Sequence, residues 1–219
     1  MDYLYSTAAV LLAYLMGSLS FAVIVSRVMG LKDPRSYGSI NPGATNVLRS
    51  GSKSAAVITL VLDAAKGWLP VFLVQAYGPD FNLQERSTAL VALAAFLGHL
   101  YPVFFGFKGG KGVATAGGVL LGINPWLGLA CALVWALSAA LTRISSLSAL
   151  AAALAAPVIY LMVSGELWSM NRPVLAALGA MTALLLYRHR ENIGRLVQGK
   201  EPRIGGGAKK LPHPAQPPR

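Results

Sequence analysis

The stretch from Gly112 to Thr142, GVATAGGVLLGINPWLGLACALVWALSAALT, runs for 31 residues without an Asp, Glu, Lys or Arg. A charge-free run of this length is membrane-type sequence. As one straight helix it would measure about 46 Å and put Lys111 and Arg143 on opposite sides of a bilayer. Asn124-Pro125 supplies a break, because proline removes a helix hydrogen bond and restricts the residue before it. The run therefore reads as a short span, Gly112 to Ile123, and a longer one, Pro125 to Leu141. The short element, about 18 Å long, either crosses or re-enters, and both versions return Arg143 to the side of Lys111.

Working outward, Tyr3 to Ser26, Ser87 to Phe107 and Ile144 to Gly165 are also free of charge. The chain is 55% hydrophobic and 12% charged, with a mean hydropathy of +0.56. These values exclude an ordinary soluble domain. The first run is too long for a secretory signal, lacks a basic leading segment and follows acidic Asp2, so it reads as one retained helix. Further spans are expected at Ser54 to Tyr77, Leu147 to Val163 and Pro173 to Tyr187. The expected fold is all-α and polytopic, with about seven transmembrane helices.

Basic residues follow alternate spans: Arg27, Lys32, Arg35, Arg49 and Lys53, then Lys108 and Lys111, then Arg143, then Arg188 onward. Positive loops mark the cytoplasmic side, which puts the N-terminus outside and the C-terminus in the cytoplasm. Asp2, Asp80, Glu85 and Glu166 fall opposite, against Arg86 and Arg172 alone. The net charge of +11 therefore faces an anionic leaflet, and nucleic acid is not the expected partner. Residues 1–204 form one membrane domain, and 205–219, rich in Gly, Pro and Lys, form a disordered tail. Cys131 is alone and reads as a packing residue, so neither disulfide nor cysteine metal site is expected.

Three cytoplasmic segments hold unusual chemistry. The first, Gly38-Ser39-Ile40-Asn41-Pro42-Gly43-Ala44-Thr45-Asn46-Val47-Leu48-Arg49, crowds hydroxyls, amides and an arginine suited to phosphate or hydroxyl oxygens. The second, Phe107-Lys108-Gly109-Gly110-Lys111-Gly112, is a glycine and lysine cradle for an anion. It is not a nucleotide P-loop, since only three residues separate Gly106 from Gly110-Lys111 and a glycine follows the lysine. His99, just upstream, is either a packing histidine or part of the site. The third, Arg188-His189-Arg190-Glu191-Asn192, would put His189 and Asn192 on one face of a continuing helix, a possible proton acceptor beside an amide that fixes it. Asp63 and Lys66, three apart in the second span, are expected to pair with each other or a neighbouring helix.

Taken together, Gly38-Ser39-x-Asn41-x-Gly43-Ala44-Thr45-Asn46-x-x-Arg49, Gly98-His99 through Phe107-x-Gly109-Gly110-Lys111-Gly112-x-Ala114-Thr115, and His189-x-x-Asn192-Ile193-x-Arg195-Leu196-x-x-Gly199-x-Glu201 resemble the signature loops of the bacterial acyl-phosphate:glycerol-3-phosphate acyltransferase family. The resemblance spans about residues 4–204. It implies a multi-pass inner-membrane enzyme, its site facing the cytoplasm, that moves a fatty acyl group from acyl phosphate to the sn-1 hydroxyl of glycerol 3-phosphate. Lysophosphatidate and phosphate are the implied products. The implied catalytic residues are Ser39, His189 and Asn192. The substrate and phosphate contacts are Asn41, Thr45, Asn46, Arg49, Lys108, Gly109, Gly110, Lys111, Gly112 and Ser146, with His99 a further candidate. No cofactor or metal is expected. The partners are the two substrates and membrane lipids, with the monomer as the active unit. A transporter or channel for phosphorylated anions is the competing function, and it would want internal repetition and polar groups along the spans.

Overall fold

The computed structural model describes residues 2–205, and apart from Gly205 the expected tail lies outside them. The described chain is helical throughout, without a β-strand. In order come α1 (Asp2–Gly17), α2 (Phe21–Val28), α3 (Ala44–Leu48), α4 (Lys53–Tyr77), α5 (Glu85–Leu100), α6 (Val113–Ile123), α7 (Pro125–Thr142), α8 (Ser145–Met162), α9 (Arg172–Arg188) and α10 (Arg190–Val197). Lys53–Phe81, Glu85–Phe105, Pro125–Thr142 and Ser145–Met162 are each long and apolar enough to cross a membrane. Along α7, Leu129, Leu133, Leu137 and Leu141 form an exposed stripe at helical spacing, a face for lipid rather than water.

The break at Asn124-Pro125 is present, and its cause is local. Pro125 opens α7, and the Asn124 side chain accepts from the backbone N–H groups of Trp126 and Leu127, capping the new helix. The single first helix expected over Tyr3 to Ser26 is corrected: α1 and α2 meet at a 44° bend, and counting them as one broken span gives five candidate crossings. The reason lies outside the run. Lys66 Nζ, on α4, donates to the Leu19 carbonyl at 2.6 Å and pairs with Asp63 at 2.8 Å. A carbonyl freed by the bend is thus satisfied by a cation whose charge is balanced one turn away.

Packing brings the loops together. α5 is central, lying against α1, α4, α6 and α9, and its Val91, Phe96 and Leu100 are fully buried. α4 runs along α6 so closely that a side-chain carbon on Gly118 would strike the Ala64 carbonyl. Small residues at such contacts allow close backbone approach, the usual way for membrane helices to gain contact area. The N-terminus of α6 is thereby pinned beside the C-terminus of α5, with the glycine and lysine loop between them.

Candidate active site

The first loop is shaped from within by Asn46, which is 2% exposed. Its Nδ2 donates to the carbonyls of Pro34 (2.6 Å) and Tyr37 (3.1 Å), and its Oδ1 accepts from Ser39 N–H at 3.0 Å and Arg49 Nη1 at 3.4 Å. All its hydrogen-bonding groups are used within this segment, so Asn46 shapes the loop that lines the cavity. Ser39, Thr45 and Arg49 are left exposed around it. Thr45 Oγ1 meets Ser145 Oγ at 3.2 Å, tying this loop to the start of α8.

The glycine loop is held through its backbone. Gly110 N–H donates to the His99 carbonyl at 3.2 Å. Arg188, at the end of α9, donates to the carbonyls of Gly109 (2.7 Å) and Gly110 (2.9 and 3.1 Å). With those contacts made, Gly109, Lys111 and Gly112 line the space in front of the loop. Gly112, in left-handed conformation at φ +83°, leads into α6, whose first-turn N–H groups have no acceptor within the helix. Such a turn favours an anion. Lys108 is exposed, beyond Phe107.

In the third segment the structure revises the expected pairing. The helix does not run on through His189: α9 stops at Arg188 and α10 begins at Arg190. His189 is 2% exposed, and its Nδ1 bonds the Leu185 carbonyl at 2.9 Å, so the backbone, not Asn192, fixes the ring. With Nδ1–H donating there, Nε2 keeps its lone pair. Asn192 instead accepts from Lys111 Nζ and donates to Glu201. Glu201 also accepts from Ser146 Oγ and Arg195 Nε, both at 2.7 Å. Ser146 therefore belongs to this inner network, while its neighbour Ser145 serves the first loop.

Burial pulls Lys111 down to about 8, with Glu201 acting against it. Burial likewise lowers His189 to about 4, against the Leu185 hydrogen bond. At neutral pH the histidine is an uncharged base and the lysine mostly a cation. For Glu201, burial would raise the carboxyl, but hydrogen bonds from Asn192, Ser146 and Arg195 outweigh it and hold it ionised.

Ser39, Asn41, Thr45, Asn46, Arg49, His99, Lys108, Gly109, Lys111, Gly112, Ser146, His189 and Asn192 all line one cavity of about 1330 Å³. Gly110 alone among the expected residues stands behind its wall. The cavity continues between α6, α7, α8 and α9 as an apolar trough, past Leu120, Cys131, Ala149, Ala153 and Met181. Glu201 and Arg188 were not among the residues expected at the site. Glu201 falls inside the third motif, the one signal that pointed to it; the role of Arg188 depends on a contact 78 residues away in the chain.

The glycerol-3-phosphate acyltransferase family model matches residues 7–199. A glycerol-3-phosphate acyltransferase of Albidiferax ferrireducens is 61% identical over 209 residues, covering 95% of this chain and 93% of the relative. One from Bordetella petrii is 60% identical over 204 residues, covering 93% and 95%. Two solved structures of PlsY (YgiH), an integral membrane glycerol 3-phosphate acyltransferase, superpose with TM-scores of 0.82 for its glycerol 3-phosphate form and 0.81 for its lysophosphatidic acid form. They are 40% and 39% identical, and each comparison covers 92% of this chain and 96% of the other. With motif, sequence and backbone agreeing over nearly its whole length, this chain belongs to the glycerol-3-phosphate acyltransferase family.

Proposed function

We propose that the protein transfers a fatty acyl group from acyl phosphate to the sn-1 hydroxyl of glycerol 3-phosphate, releasing lysophosphatidate and phosphate. One observation carries this reading: a single cavity has a cationic, amide-rich head and an apolar trough between helices. That shape matches a lipid-tailed phosphate lying beside a small polar phosphate. Lys111, Arg49 and the N–H groups of the glycine loop and first turn of α6 neutralise and hold phosphate. Ser39 and Asn41 aim donors at the acyl phosphate, and Thr45 and Ser146 complete the wall.

An acyl phosphate is already activated, so no covalent enzyme intermediate is required. The glycerol hydroxyl oxygen attacks the acyl carbon, an ester bond forms, and the bond from that carbon to the phosphate oxygen breaks. The proton of the hydroxyl passes to His189 Nε2, the ring nitrogen its backbone contact leaves open. Held dianions and an oriented hydroxyl supply the rest of the rate through proximity and preorganised charge.

Seven crossings follow if α6 and α9 join the five candidates, with the N-terminus outside and the active site facing the cytoplasm of a bacterial inner membrane. The distribution of Lys and Arg supports this orientation. The proposed active unit is the monomer. The test is purified protein with acyl phosphate and glycerol 3-phosphate, with acyl-CoA as the control donor. Lysophosphatidate formed from acyl phosphate is the expected result, and product from acyl-CoA alone would refute the proposed donor.

A further inference from the structure

Three ionisable side chains at membrane depth are unused by the mechanism above. Asp63, Lys66 and His99 are 2%, 3% and 7% exposed. They form a chain through the middle of the bundle. Lys66 Nζ reaches the Leu19 carbonyl at 2.6 Å and Asp63 Oδ1 at 2.8 Å. The same Asp63 oxygen lies 3.7 Å from His99 Nδ1, which shares a 3.0 Å hydrogen bond with Thr115 Oγ1 on α6.

Holding α4 against α5 does not require such a chain. A buried ion pair usually contributes no more than apolar side chains of the same volume, because desolvation offsets its attraction. Ionisable groups kept at this depth tend to serve a site. Two features say which. Asp63 and His99 both line the active-site cavity. The chain also ends on the glycine loop: the His99 carbonyl receives Gly110 N–H, a side chain on Gly109 would strike that carbonyl, and one on Gly110 would strike His99 Nε2 and the Pro42 carbonyl. The histidine ring is therefore fixed through Nδ1 by Thr115 and Asp63, and the loop rests on its other edge. Arg188 holds the same two glycines by their carbonyls from α9. The loop is clasped between a cation on one side and an anchored histidine on the other.

We propose that His99, anchored by the Asp63–Lys66 pair and Thr115, is a positioning residue that sets the height and aim of the glycine cradle, and so its affinity for a substrate phosphate. This rests on the acyltransferase reading of the cavity. Phosphate charge is present in the bound ground state as well as in the transition state. Misplacing the cradle should therefore appear chiefly as weaker binding, with a smaller effect on turnover.

The experiment measures initial rates of purified enzyme with acyl phosphate varied at saturating glycerol 3-phosphate, and then the reverse. For His99→Ala, KM for one of the two phosphates should rise about tenfold or more, with a smaller change in kcat. The arm that moves identifies which phosphate the cradle holds. His99→Asn, which keeps a nitrogen near the position of Nδ1, should recover most of the lost affinity. The paired variant Asp63→Leu with Lys66→Met removes both charges together; it should lower the melting temperature in detergent, because the Leu19 carbonyl loses its donor, and in the folded enzyme it should raise the same KM. A His99→Ala or paired variant with both KM values unchanged would overturn the proposal, as would a loss confined to kcat. If His99→Ala does not fold, the paired variant decides on the same criteria. Wild-type enzyme in the same assay separates the two readings: no product from acyl phosphate refutes the donor assignment, whereas an active wild type with unaffected variants refutes only the positioning role.

Discussion

Lys111 and His189 face the same cavity, and burial gives them opposite duties. Lys111, at about 8, is a cation at neutral pH but loses its charge just above it. A group with a depressed pKa keeps its proton only below that value, so phosphate binding should weaken as the pH climbs through about 8. KM for a phosphate substrate, followed from about pH 7 to pH 9.5, should rise over that window in the wild type. In Lys111→Arg the rise should vanish, since a guanidinium stays protonated throughout, and a persisting rise would assign the limb to another group. Lys111→Ala should lower kcat/KM by about 10- to 100-fold, the equivalent of roughly 1.5–3 kcal/mol for a hydrogen bond to a charged group. His189 is held near 4 and stays neutral. Its replacement by Ala should depress kcat by about 10²- to 10⁴-fold in folded protein, the range for a lost general base, and unchanged turnover would remove it from the chemistry.

At the scale of elements, what could be read in the sequence was what is encoded locally. The Asn124-Pro125 break carries its own cap and its own proline, and the boundaries of α4, α7, α8 and α9 follow from where charge stops and starts. The bend between α1 and α2 could not be read that way, because what stabilises it is Lys66 on another helix. The pairing of His189 with Asn192 failed for a related reason: it assumed an uninterrupted helix, whereas Asn192 is claimed by Lys111 and by Glu201 beyond α10. The residues lining the cavity were legible because three loops each concentrate polar groups; their connections were not, since partners lie 55 and 81 residues apart. Glu201 thus fastens the segment after α10 to α8 and to the catalytic wall. Glu201→Ala should release Asn192 and Ser146 together, lowering both melting temperature and activity, while Ser146→Ala should cost far less. Equal effects from the two would mean that the carboxylate serves Ser146 alone.

For the whole molecule, the arrangement that matters is which ends of the helices face which compartment. α6, at 11 residues, is about 16 Å long and falls short of the hydrocarbon thickness, whereas α7, at 18 residues, reaches about 27 Å. The seven-crossing arrangement requires Trp126, 65% exposed at the start of α7, to stand on the face opposite Lys111. Single cysteines can report this once the buried Cys131 is replaced by Ser. In intact cells, a membrane-impermeant maleimide should label Trp126→Cys and Asp80→Cys. Lys53→Cys, Arg143→Cys and Lys200→Cys should react only after the membrane is opened. Failure of Trp126→Cys to label even in opened membranes, with Arg143→Cys still reacting there, would make α6 re-entrant, and labelling of Lys53→Cys in intact cells would invert the molecule. Inversion would also carry the cavity away from the cytoplasm. The orientation experiment therefore tests the proposed access of a cytoplasmic phosphate substrate as directly as it tests the helix count.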